Sequence, residues 1–131
     1  MIGYITIGTN DLDKAATWYD ALMGSAGIGR IMEQPGYFIV WGESLEVTSL
    51  GITKPFNGQP AVAGNGTMVA MAFQTPAQVQ AFHAKALALG GSNEGDPGFR
   101  PAENTSGFYA GYFRDPEGNK FNAFCMVPGE N

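Results

Sequence analysis

Few side chains in this sequence can do chemistry, and their scarcity already narrows the options. His83 is the sole histidine and Cys125 the sole cysteine among 131 residues. One histidine excludes a two-histidine metal site within the chain, and one cysteine excludes an internal disulfide. Arg100, within Pro97-Gly98-Phe99-Arg100-Pro101, could clamp an anionic substrate at the rim, although such an arginine more often pairs with a surface carboxylate. Arg114 flanks the same region. Trp41, Tyr109 and Tyr112 could stack on a flat ligand, but strand parity alone does not show which of them point inward. Gly64-Asn65-Gly66 has no lysine after it and so reads as a turn or hinge, not a phosphate loop.

The elements that must position these residues come in two copies. Shifted by 64 positions, Tyr4-Ile-Thr-Ile-Gly falls on Met68-Val-Ala-Met-Ala, and Trp18-Tyr19 falls on Phe82-His83. At a slightly longer offset Gly36-Tyr-Phe-Ile-Val-Trp41 falls on Gly107-Phe-Tyr-Ala-Gly-Tyr112. A repeat on this scale implies two halves, each with an apolar sheet face to cover and a shared cleft between them. Ile2–Thr9 reads as a strand. Asn10-Asp11 supplies an N-cap for a helix carrying Leu12, Ala15, Ala16, Tyr19, Leu22 and Met23, which Gly24 and Gly27 end. Strands follow at about 28–33, 37–41 and 46–53, with Gln34-Pro35-Gly36 as a turn.

Residues 54–66 show no periodicity and read as the connector. Met68–Phe73 restarts the pattern, and Thr75-Pro76-Ala77-Gln78 is a capping box with proline at the first helical position. The stripe Val79, Phe82, His83, Ala86 and Leu89 runs to a stop at Gly90-Gly91. The stretch 92–106 reads as loop with a short edge strand. Phe108–Phe113 and Phe121–Val127 are strands joined by the turn Asp115-Pro116-Glu117-Gly118. The expectation is one α+β domain over 1–131: module one at about 1–55, connector at about 56–66, module two at about 67–127. Each module is βαβββ, and together they form a curved, mixed, eight-stranded sheet around a cleft.

Hydrophobic content of 44% with 15% charged residues describes a globular chain. The net charge of −5 is spread over a background of only seven cations. That argues against a nucleic-acid partner. No apolar run is long enough to span a bilayer, and no leader-like block precedes the first strand, so the expected location is the cytoplasm.

The module order, taken with Tyr4-to-Gly24, Gly64-to-Ala70, Phe82-to-Leu87 and Phe108-to-Pro116, resembles the vicinal oxygen chelate superfamily. That group contains glyoxalases, bleomycin-resistance proteins, fosfomycin-resistance enzymes and extradiol dioxygenases. The resemblance implies paired chains, hence a homodimer. It also implies a divalent ion held by one ligand from the first and last strand of each module. The matching positions here are Tyr4, Glu46, Met68 and Asn122. A phenol, a thioether and a neutral amide are poor ligands for a hard or borderline ion, so the expectation is no metal and no cofactor.

Alternation places Thr6, Ala70, Lys120 and Phe124 on the same strand faces as those four positions. The ligand-binding set is therefore Tyr4, Thr6, Met68, Ala70, Asn122 and Phe124, gathered around a small organic molecule. The competing reading has Tyr4, Glu46 and Asn122 bonding one another in a filled cleft. An alternative function is a lyase or isomerase related to glyoxalase, of the lactoylglutathione lyase kind. Glu46 would be its catalytic base and Tyr4 and Asn122 the only donors to an enolate. Dioxygenase chemistry ranks below both, because its iron site needs two histidines. His83 reads as a packing residue, and Cys125, of opposite parity to Asn122, as a buried inert thiol.

Overall fold

The computed structural model describes residues 1–130 and contains two compact units, Met1–Ala63 and the chain from Gly64 onward. The first holds β1 (Tyr4–Gly8), α1 (Leu12–Ser25), β2 (Gly29–Gln34), β3 (Phe38–Gly42) and β4 (Ser49–Thr53). The second holds β5 (Val69–Ala72), α2 (Pro76–Ala88), β6 (Ser92–Phe99), β7 (Gly107–Arg114) and β8 (Lys120–Val127). The architecture is α+β with the expected βαβββ order twice. The eight strands are divided into two four-stranded sheets, β1-β4-β3-β2 and β5-β8-β7-β6. In each, the first strand pairs parallel with the last and the other ladders are antiparallel. Among the described residues no helix is long and apolar enough to cross a membrane.

Local chemistry sets the helix ends. The Asp11 carboxylate accepts the Lys14 N–H at 3.1 Å, satisfying one of the first-turn donors that an α-helix leaves unpaired. The capping box at α2 is reciprocal: Thr75 Oγ1 accepts from Gln78 N, and Gln78 Oε1 accepts from Thr75 N. Asn10, expected to share in capping α1, does something else. Its side chain donates to Ala61 O at 3.0 Å and accepts from Ala61 N at 2.7 Å, pinning the connector. Gly8 completes that clamp, since a Cβ there would lie 2.9 Å from Ala61 Cβ.

Each sheet buries one face under its own helix. In the first unit Trp41, wholly buried, meets Tyr19 with ring centroids 5.7 Å apart, alongside Leu50, Ile39 and Ile52. In the second, Phe113 stacks on Phe121 at 5.4 Å and meets Phe82 at 6.0 Å. His83 packs there as expected, only 4% exposed. Its Nε2 lies 3.0 Å from Tyr112 O and 3.2 Å from Asn93 Oδ1. A carbonyl can only accept, so Nε2 carries the proton. Burial pushes the Cys125 thiol up, in keeping with an inert core residue.

Three expectations need correction. The stretch 92–106 contains an eight-residue strand, not a short one; Gly95, Pro97 and Gly98 hid it, and the β6 ladder accommodates them by shifting register twice. The fourth strand begins at Ser49, not at about 46, and Glu46 sits in the preceding turn. The aromatic matching was one residue out: Trp41 pairs with Leu50 as Phe113 pairs with Phe121, so Trp41 corresponds to Phe113 and not to Tyr112. A slip of one residue exchanges the faces of a strand.

Candidate ligand site

With register known, the face of each sheet turned away from its helix can be read off. On the first sheet it carries Tyr4 and Thr6 from β1, Phe38 and Val40 from β3, and Gly51 and Thr53 from β4. A cavity of about 660 Å³ opens on this face, with Tyr4, Thr6, Phe38 and Val40 in its wall and Met32 from β2 beside them. The connector supplies the opposite wall through Phe56, Pro60 and Val62. This volume falls in the range of small-molecule sites, and the side chains around it are mostly apolar. Phe56 is 96% exposed and Val62 83%, so large apolar groups stand beside the opening with little to cover them.

Tyr4 and Thr6 therefore share one cavity, as alternation along β1 requires. Glu46 is exposed in its turn, and its neighbour Leu45 is the residue that reaches the cavity wall. Met32, Phe38, Val40 and the connector residues were not foreseen. Alternation would have found Phe38 and Val40 once the β3 register was right. The connector carries no periodic signal at all.

The second sheet's open face has a different character. Ala70 pairs with Asn122 and Ala72 with Phe124 across β5 and β8. Phe124 stacks on Phe108 at 5.5 Å, and Tyr112 stands opposite Asn122. Met68 lies just before β5, partly exposed. Asn122 is 2% exposed, and its Oδ1 has no hydrogen-bond partner among the described residues. Buried polar atoms are almost always paired, so this acceptor has the capacity to take a donor from outside the chain. The Asp115–Asn119 turn holds the start of β8 in place: Asp115 Oδ1 accepts from Glu117 N and Asn119 N, and Oδ2 from Asn119 Nδ2.

Of the three aromatics left open, Trp41 and Tyr109 face helices. Trp41 donates to Asp20 Oδ1 at 3.0 Å, and Tyr109 Oη accepts from Gln80 Nε2 at 2.7 Å. Tyr112 alone lies on an open face, with Arg100 5.5 Å and Lys120 5.7 Å from its ring centre.

The strand pairings also test the metal quartet implied by the resemblance. Gly51 stands opposite Thr6 as Asn122 stands opposite Ala70, so the position matching Asn122 in the first module is Gly51, not Glu46. Phenol, no side chain, thioether and amide form a set that does not fit a divalent ion. Among the described residues no group of three or more His, Cys, Asp or Glu is placed to hold one.

The model of the Glyoxalase/Bleomycin resistance protein/Dioxygenase superfamily matches residues 1–123. A glyoxalase/bleomycin resistance protein from Albidiferax ferrireducens T118 is 39% identical, covering 96% of this chain and 98% of its own, with a TM-score of 0.82. A glyoxalase/bleomycin resistance protein/dioxygenase family enzyme from Burkholderia phytofirmans PsJN is 18% identical over 95% and 98%, TM-score 0.73. The lactoylglutathione lyase from Agrobacterium tumefaciens is 20% identical over 95% and 92%, TM-score 0.65. The last two show likeness of fold alone. No curated protein matches the chain.

Proposed function

Since this chain belongs to the glyoxalase/bleomycin resistance protein/dioxygenase superfamily, we propose that it binds a small, largely apolar organic molecule without a catalytic metal. The observation that carries this reading is the cavity of about 660 Å³ on the first sheet, walled by Tyr4, Thr6, Phe38 and Val40. A pocket of that size lined by aromatic and aliphatic groups gains affinity from removing apolar surface from water. Tyr4 and Thr6 supply the hydroxyls that orient a polar atom of the ligand. On the second module the binding residues are Met68, Ala70, Asn122 and Phe124, which form a face of their own, and the working unit is a cytoplasmic homodimer.

The lyase or isomerase alternative has less support. Its base, Glu46, is an exposed turn residue off the sheet face, and no side chain at Gly51 takes over that role.

The test uses the purified full chain. Indole, a neutral flat aromatic, should raise the melting temperature through binding to the native state. Val40→Trp, which fills the cavity, should abolish the shift while the protein stays folded by circular dichroism. An unchanged melting temperature with indole, or a shift that survives Val40→Trp, overturns the reading. Metal analysis after dialysis against Ni²⁺, Zn²⁺ and Mn²⁺ should find far less than one ion per chain; a stoichiometric ion would refute the metal-free part. Light scattering should give the mass of two chains.

A further inference from the structure

The second sheet's open face concentrates positive charge in a protein of net charge −5. Arg100 and Lys120 both lie beside the Tyr112 ring, at 5.5 and 5.7 Å from its centre. Among the described residues the ion pairs are those of Arg30 with Asp20 and Glu33 and of Arg114 with Glu94, so neither Arg100 nor Lys120 is in one. The two acidic side chains of β6 have other partners. Asp96 accepts from Asn93 Nδ2 at 2.7 Å, and Glu94 is taken by Arg114.

Arg100 is also held in place. Its Nη1 donates to Phe99 O at 3.2 Å and its Nη2 to Asp96 O at 2.9 Å. Two of the five guanidinium N–H groups thus fix the side chain against backbone carbonyls, which carry no neutralising charge. No partner for the remaining donors is found among the described residues.

Asn122 stands directly across the ladder from Tyr112, and Lys120 lies two residues before it on the same face of β8. Its buried Oδ1 without a partner asks for a donor. Two cations and one acceptor therefore share a patch around a single aromatic ring.

We propose that this patch is a carboxylate site. Arg100 and Lys120 bind the anionic group, and Asn122 Oδ1 accepts a hydrogen bond from a hydroxyl or amino group on the neighbouring carbon, so the ligand class is 2-hydroxy or 2-amino carboxylates. All four residues belong to the second module, so the inference is independent of the indole-binding cavity on the first sheet.

Calorimetric titration of the full chain with mandelate, phenylacetate, methyl mandelate and inorganic phosphate tests it. Mandelate should bind most tightly, with phenylacetate weaker for lack of the hydroxyl and the neutral ester failing. Arg100→Gln and Lys120→Gln should each weaken mandelate roughly tenfold, the scale of one charged hydrogen bond. Lys85→Gln, an exposed cation on α2 with the same change in net charge, should leave it unaltered. Asn122→Leu should erase the preference for mandelate over phenylacetate while retaining carboxylate binding. Loss of binding in Lys85→Gln equal to that in Lys120→Gln would reduce the effect to net charge and refute the site. Phosphate tighter than mandelate would refute the carboxylate assignment. Should Arg100→Gln misfold, Lys120→Gln decides alone. Indole binding should be the same in Lys120→Gln as in wild type, so the two readings can fail separately.

Discussion

The two modules agree on the side that meets the helix and differ on the side that does not. Under α1, Tyr19 meets Trp41; under α2, His83 meets Phe113, with centroids 6.3 Å apart. These four positions correspond one to one. On the open faces, Thr6, Val40 and Gly51 of the first module stand where the second has Ala70, Tyr112 and Asn122. One face carries Tyr4, Thr6, Phe38 and Val40 around a glycine, and a connector folds over it to leave a cavity. The other is aromatic and polar, with an amide at its centre and two cations at the side. The helix-facing aromatics match between the modules, whereas the open faces present different recognition chemistry.

If that division is correct, the largest effects come from the helix-facing aromatics. Trp41→Ala and Phe113→Ala each remove a fully buried ring and should each cost about 3–5 kcal/mol in urea unfolding. Trp41→Ala also takes away the indole donor to Asp20. A cost under about 1 kcal/mol at either position would break the correspondence as an account of stability. Substitutions at Val40 and Tyr112 should fall well below these values and show mainly in ligand binding.

A smaller effect separates the modules at Ile39 and Gly111, which occupy the same place in β3 and β7. The glycine admits His83: a Cβ at Gly111 would lie 3.0 Å from His83 Cδ2 and 3.0 Å from Pro97 Cγ. Gly111→Ala should cost about 1–3 kcal/mol through overpacking, and part of that should return in a His83→Ala background. Full additivity of the two substitutions would show that the ring does not set the need for glycine.

What could be read from the sequence follows the same division. The caps at Asp11 and Thr75, the turn at Asp115–Gly118 and the helix stripes are local signals, each with its own mechanism, and they located both helices and most strands. That Tyr4 and Thr6 share a strand face was legible because period-two alternation needs only the strand itself. The misses were matters of register and of long-range contact. Aligning Trp41 with Tyr112 was one residue out, and the faces of these aromatics stayed open, because only the folded ladder reveals the pairing. Glu46 was matched where the fold puts Gly51, because the long 42–54 segment carries no local signal that fixes its register. The cavity's connector wall depends on the Asn10–Ala61 clamp between residues 51 apart, and nothing local announces it.

The smallest expected effect is electrostatic and again distinguishes the halves. Asp20 accepts two hydrogen bonds from Arg30, at 2.9 and 2.7 Å, and one from Trp41. The Arg30 hydrogen bond holds its carboxyl below the usual value, aided by Trp41 and opposed by burial. The corresponding residue in the second module is Ala84, which has nothing to titrate. A depressed carboxyl contributes stability that is fully present above its unfolded value of 3.8. That contribution is lost as pH falls through the lower folded value. Arg30 is shifted upward, so any loss from its side belongs to strongly alkaline solution. Asp20→Asn should therefore lower stability by an amount that is constant from about pH 5 to 8 and shrinks toward zero in stronger acid. The side chain of Asp20 is 45% exposed, and solvent screening keeps the difference below about 1 kcal/mol. Urea unfolding of both proteins between neutral pH and about pH 3 measures it, and a gap that widens in acid would show that Arg30 does not stabilise the Asp20 carboxylate.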